Sequence, residues 1–153
     1  MICVACPLRG TWPSGEGPSY TPGMRPADEH ERSLHARAEQ ARDRAYVPYS
    51  SFPVGAALQT EDGQVITAGN VENASYGLTI CAERSAVVRA VAEGHQRFTA
   101  VAVAGVATSV PPCGACRQVL AEFAVPGMTI TFPEDGDLVT YTVEEILPAT
   151  FRL

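Results

Sequence analysis

Two short segments constrain this chain more than anything else in it: Cys81-Ala82-Glu83 and, thirty-two positions after that first cysteine, Cys113-Gly114-Ala115-Cys116, preceded by Pro111-Pro112. Each lies where a helical pattern begins. A helix N-terminus carries unpaired N–H groups and the positive end of the helix dipole, and both favour a thiolate. Cys113 and Cys116 fall on one side of a helical turn and can grip a single ion. Cys81 becomes the third ligand if its helix lies alongside. Three thiolates suit zinc, and a three-ligand site leaves the fourth position open to water, as catalytic sites do. Glu83 falls near such an ion but outside its coordination shell, where a carboxylate can move protons to and from water. The plainer alternatives are a buried cysteine cluster with Glu83 as a first-turn acid favoured by the dipole, and a zinc ion that only staples two helices.

The remaining pattern tells what frame could bring the two segments together. Asp28 with Glu31 forms a capping box, and Leu34, Ala38, Ala41 and Ala45 follow at helical spacing, so a helix runs from there and ends before Pro48. Residues 54–60 and 65–70 read as a hairpin around the turn Asp62-Gly63. Residues 79–93 are helical with Gly94 as the stop, and 98–106 are a continuous apolar run, as in a strand covered on both faces. A helix over 113–123, short strands over 128–132 and 138–141, and a last helix capped by Thr142 and Glu145 complete the order. Helices interleaved with mixed strands imply an α/β fold, with a sheet between two helical layers.

Composition narrows the ligand class. The 153 residues suit one domain, the net charge is −6, and all eleven basic residues are arginine. Arg32, Arg37, Arg42 and Arg44 lie among acids and read as a solvated helix face. An acidic chain without a basic, aromatic-interleaved stripe is a poor match for nucleic acid, so small molecules are the expected ligands. No run approaches the roughly 18 apolar residues of a membrane span. The apolar opening, Met1 to Leu8, is too short and wrongly flanked for a secretory signal, which makes a cytoplasmic setting the expectation. Five cysteines, an odd count, argue against a disulfide framework. Residues 1–27 carry Pro7, Pro13, Pro18, Pro22 and Pro26 with several glycines and no period, and read as a disordered leader before a domain over 28–153. Met24 offers an alternative start for the native chain. Cys3 and Cys6 form a C-x-x-C with no partner pair nearby. His30, His35 and His95 lie away from the motifs and read as solvated helix residues.

Four ordered segments resemble the cytidine deaminases of the small, homotetrameric, zinc-dependent type. They are Pro48-Tyr49-Ser50-Ser51-Phe52-Pro53-Val54-Gly55-Ala56, Asn70-Val71-Glu72-Asn73-Ala74-Ser75-Tyr76-Gly77, Cys81-Ala82-Glu83-Arg84 and Pro112-Cys113-Gly114-Ala115-Cys116-Arg117-Gln118. The resemblance runs from about Glu31 to Phe151. It implies a three-layer α/β/α sandwich around a mixed five-stranded sheet, and one zinc per subunit on Cys81, Cys113 and Cys116. It further implies that Glu83 shuttles protons, that Asn70 and Glu72 hydrogen-bond the ribose hydroxyls, and that Phe52 packs near the pyrimidine. By the same resemblance the Ala82 N–H meets the pyrimidine carbonyl and Arg84 hydrogen-bonds the ligand sulfurs. Tyr76 and Phe151 match residues that reach a neighbouring subunit's pocket. The implied reaction is deamination of cytidine or deoxycytidine, with a cytosine nucleoside antibiotic as the alternative substrate. Ser51, where many relatives have asparagine, and Gly69, where a larger residue is common, depart from the pattern.

Overall fold

The computed structural model describes residues 23–151. Cys3, Cys6 and most of the expected leader lie outside the described residues. A first strand β1 (Arg25–Pro26) leads into helix α1 (Glu29–Arg42), the hairpin β2 (Gly55–Thr60) and β3 (Val65–Gly69), then α2 (Ala82–Ala92). Strand β4 (Phe98–Ala104), α3 (Gly114–Phe123), β5 (Ala124–Glu134), β6 (Asp137–Thr142) and the short α4 (Val143–Ile146) follow. The strands form one sheet in the order β1-β6-β5-β4-β2-β3, with β4 and β5 parallel and the other neighbours antiparallel.

Alternation along the strands sorts residues onto two faces. Ala56, Leu58, Val101, Val103, Ile130 and Phe132 pack with Ala86, Val87 and Ala90 of α2 and Leu120 of α3. The opposite face, Ala57, Ala100, Ala102 and Ala104, meets Leu34 and Ala38 of α1. That face is almost all alanine, so α1 lies close against the sheet. The expected three layers are present, and local signals set several helix ends. Asp28 and Thr142 both make their capping boxes. Gly94, at φ +97°, follows α2; its N–H reaches the Val91 carbonyl and that of His95 reaches Ala90, the paired bonds of a Schellman stop.

The sheet has six strands among the described residues, one more than the sequence implies. The extra strand, β1, falls in the segment read as leader. Two residues ending in proline carry no readable period. What holds β1 is distant: it pairs with Thr140 and Val139 of β6, and Arg25 donates to the Glu31 carboxylate at 2.7 and 2.5 Å. Pro26 is tolerated because β1 is an edge strand. Two helices also start later than their patterns imply. α2 begins at Ala82 and α3 at Gly114, which leaves Cys81 and Cys113 as extended N-cap residues. His35 is half-buried, with its Nε2 enclosed and unpartnered, so it is not a solvated helix residue.

Glu31 is only 3% exposed. Burial pushes its carboxyl up, but hydrogen bonds from Arg25, the Asp28 N–H and Thr140 outweigh that and hold it below its ordinary 4.5. A carboxylate depressed in the folded state stabilises the fold above its unfolded pKa, and loses that contribution as pH falls through the folded value. Glu31→Gln is therefore expected to lose about 1.5 kcal/mol at pH 7, discounted for the half-exposed Arg25. It should also show a flatter decline of stability below pH 4.5 than the parent. Urea unfolding across that range is the check, and parallel profiles for the two proteins would refute it.

Candidate active site

Chain direction brings the two cysteine segments together. β3 and β4 are both antiparallel to β2, so they run the same way and end at the same edge of the sheet. The chain leaves β3 toward Cys81 and α2, and leaves β4 toward Cys113 and α3. Crossovers between like-directed strands are right-handed, which puts α2 and α3 on one face with their N-termini at one end. The Sγ atoms of Cys81, Cys113 and Cys116 consequently lie within 4.8 Å of one another, with 3.4 Å between Cys113 and Cys116. Thiolates around zinc at roughly 2.3 Å sit about 3.8 Å apart, so the trio fits that ion with small adjustment.

The electrostatics suit a cation. The Cys81 thiol is pulled down to about 5, first by the hydrogen bond from Cys116 and then by Arg84, against the opposing effect of burial. Cys116, fully buried and the donor in that pair, is pushed up. Arg84 Nη2 lies 3.8 Å from Cys81 Sγ and 3.1 Å from the Thr79 carbonyl. Its Nε is buried without a partner. Glu83 is 4% exposed, and burial pushes its carboxyl up to about 7.

Beside these groups a pocket opens to the surface. Cys81, Ala82, Glu83 and Cys113 line it together with Phe52, Asn70 and Glu72. Asn70 and Glu72 also pin the loop that carries Phe52. The Glu72 carboxylate accepts the N–H groups of Tyr49 and Ser50 at 2.9 and 3.2 Å. Asn70 Oδ1 accepts the Val54 N–H at 2.9 Å, and its Nδ2 donates to the Phe52 carbonyl at 3.1 Å. Burial pushes the Glu72 carboxyl up, but the Ser50 hydroxyl and the Tyr49 and Ser50 N–H groups outweigh it and hold the group below its ordinary pKa.

Tyr76, Phe151 and Arg84 do not line the pocket. Tyr76 is 58% exposed, with its ring edge-on to Tyr49 at 6.4 Å, and Phe151 is 68% exposed. The pocket wall adds Ser50, Val54, Thr79, Val103, Val110 and Pro111, which the sequence reading assigned no role. Ser50 and Val54 stood inside a motif already singled out, and Thr79 opened the segment read as helical; Val110 carries no local signal. The two departures from the family pattern have physical accounts. Ser51 sits at φ +53°, a conformation that asparagine tolerates better than most residues. A Cβ on Gly69 would lie 2.8 Å from the Ala45 Cα, so nothing larger fits as the chain stands.

A buried carboxylate beside three clustered thiols, on helices entering from one end of a mixed sheet, defines a zinc-dependent hydrolase. Residues 28–131 match the cytidine and deoxycytidylate deaminase zinc-binding region, and the chain belongs to that family. It is 53% identical over 120 residues to a cytidine deaminase of Halalkalibacterium halodurans, covering 77% of this chain and 91% of the other. The crystal structure of cytidine deaminase from Burkholderia pseudomallei superposes with a TM-score of 0.74 at 44% identity, over 82% of this chain and 100% of that one. A blasticidin-S deaminase of Bacillus cereus is 35% identical over 107 residues, 64% of this chain and 76% of that protein.

Proposed function

We propose that this enzyme adds water to C4 of cytidine and deoxycytidine and releases ammonia, leaving uridine and deoxyuridine for pyrimidine salvage. The observation that carries the reading is the pocket itself, with Glu83 and two of the three thiols among its walls and Asn70 and Glu72 also lining it. Cys81, Cys113 and Cys116 would hold a zinc ion, which would supply the Lewis acidity that makes water a competent nucleophile near neutral pH. Glu83 takes the proton that water gives up and passes it to ring N3, which makes C4 electrophilic. Once the hydroxyl has added to C4, Glu83 takes the proton of that hydroxyl and delivers it to the amino group, so the C4–N bond breaks as the C4 carbonyl forms and ammonia leaves.

The other residues place the substrate. Ala82 opens α2, so its N–H has no partner within the helix and is free to meet the pyrimidine carbonyl. Phe52 packs against the ring. Asn70 and Glu72 keep hydrogen-bonding capacity for ribose hydroxyls after pinning the loop, since a carboxylate and an amide each offer more sites than the loop uses. Three thiolates and Zn²⁺ leave one net negative charge, which the Arg84 guanidinium offsets. The catalytic domain is taken as residues 28–153, with β1 as an added edge strand.

The test is the ultraviolet change on mixing with cytidine or deoxycytidine, with and without a chelator. Turnover of both nucleosides, abolished by the chelator and restored by zinc, is expected. No change with either nucleoside for zinc-loaded protein defeats the proposal, and turnover of a cytosine nucleoside antibiotic alone moves it to that substrate.

The working unit is taken to be a homotetramer in the cytoplasm, where a reducing setting keeps the three thiols free. Among the described residues no helix is long and apolar enough to cross a membrane. Tyr46, Tyr49, Val71, Tyr76, Leu78 and Ile80 are large, exposed and grouped beside the pocket, which supports burial against another copy. Phe151→Ala is expected to leave the tetramer intact by sedimentation while lowering kcat/KM about fivefold, the worth of one aromatic contact. A monomeric parent with full activity overturns this.

A further inference from the structure

We propose that Arg117 is a positioning residue that locks the metal-ligand loop to the C-terminal segment, so that the set of the Cys113 thiolate and the placement of Phe151 depend on one another. Three consecutive side chains of α3 reach three different places. Cys116 joins the thiol cluster. Arg117 Nε donates to the Pro112 carbonyl at 2.9 Å, and its Nη1 donates to the Ile146 carbonyl at 3.0 Å. Gln118 Nε2 donates to the Phe151 carbonyl at 3.0 Å.

Each acceptor is a consequential one. The Pro112 carbonyl lies in the peptide plane that leads into Cys113, so holding it helps fix the extended N-cap conformation of that ligand, φ −67° and ψ 163°. The proline rings at 111 and 112 already restrict that loop from the other side. Ile146 ends α4, where carbonyls lack helical partners and welcome a cationic donor. The tail from Leu147 to Phe151 is then held at both ends, by Arg117 through Ile146 and by Gln118 through Phe151. Thr150 Oγ1, donating to the Leu147 carbonyl at 2.8 Å, closes the turn between them. A planar guanidinium reaches two separated carbonyls from different nitrogens; a lysine ammonium has three donors but all on one nitrogen, and cannot span both.

The inference rests on the zinc reading above. The experiment measures zinc release from loaded protein into a chelating dye, with amide hydrogen exchange over residues 147–151, for the parent, Arg117→Lys, Gln118→Ala and the double variant. Arg117→Lys is expected to release zinc roughly tenfold faster or more, the usual reach of groups that orient metal ligands. Exchange in the tail should rise with it. Gln118→Ala, which touches neither a thiol nor Pro112, is expected to speed release roughly fivefold through the shared tail. The double variant should release more slowly than the product of the two fold-changes, because both act through one tail; the full product would overturn the proposal. Parent-like release from Arg117→Lys, or faster release with an unchanged tail, overturns the proposal. If Arg117→Lys does not fold, Gln118→Ala decides alone, and unchanged release there is equally fatal. A parent that purifies without zinc and without chelator-sensitive turnover defeats the functional reading instead; a zinc-loaded parent with indifferent variants defeats only this one.

Discussion

Glu83→Gln is expected to bind zinc as the parent does and to lose between roughly 10² and 10⁴ in kcat, the range typical of a positioned proton shuttle. Glutamine keeps the size and shape of the side chain but can neither take a proton from water nor hand one on. The carboxyl is 4% exposed, and enclosing a charged group is harder than enclosing an amide, so the variant should melt no lower than the parent. Metal analysis, steady-state kinetics and a melting curve on the same preparation separate the outcomes. Parent-like turnover removes Glu83 from its role. Lost zinc or a collapsed melting temperature recasts the residue as structural.

The second large effect is expected far from any reacting atom. Gly55→Ala should lower stability by about 3 kcal/mol, the upper end for forcing atoms into a filled interior. In a chain this size that is a fall of roughly 6–12 °C in Tm. A Cβ built on Gly55 would lie 2.0 Å from the Ala38 carbonyl oxygen and 2.5 Å from the Arg42 nitrogen. Both are backbone atoms of α1, so no side chain can swing aside; the helix must lift from the alanine-lined sheet. Ser33→Ala is the control, an exposed position on the same helix. A change within about 0.5 kcal/mol is expected for it. Equal melting of the two variants would show that α1 yields without cost.

Much of the local architecture was legible beforehand because its causes are local. Asp28 with Glu31 and Thr142 with Glu145 form capping boxes over three residues, and Gly94 closes α2 within two. The continuous apolar run over 98–106 was readable as a strand covered on both faces, and β4 does contribute to both core clusters. Where the reading slipped, the deciding contact was distant. β1 exists because Arg25 meets Glu31 while Glu31 meets Thr140, more than a hundred positions away. The starts of α2 and α3 slipped by one to three residues because a helical period does not reveal which residue is the extended cap.

The candidate site divides the same way. Cys81, Glu83, Cys113 and Cys116 were readable from residue type and spacing, since a helix start and a three-residue separation carry their geometry within one turn. Phe52, Asn70 and Glu72 were readable only through resemblance, and their second task, pinning the loop over 49–54, through neither. Val110 reaches the pocket from a segment with no pattern, and Thr79, read as the first residue of a helix, reaches it from the extended stretch before α2. The sequence by itself determined which donors a metal could find and which carboxylate could serve them. Only the tertiary structure decided that they meet, because β3 and β4 run in the same direction and deliver both helix starts to one edge of the sheet. Strand direction is a property of the whole sheet, and no short run of residues records it.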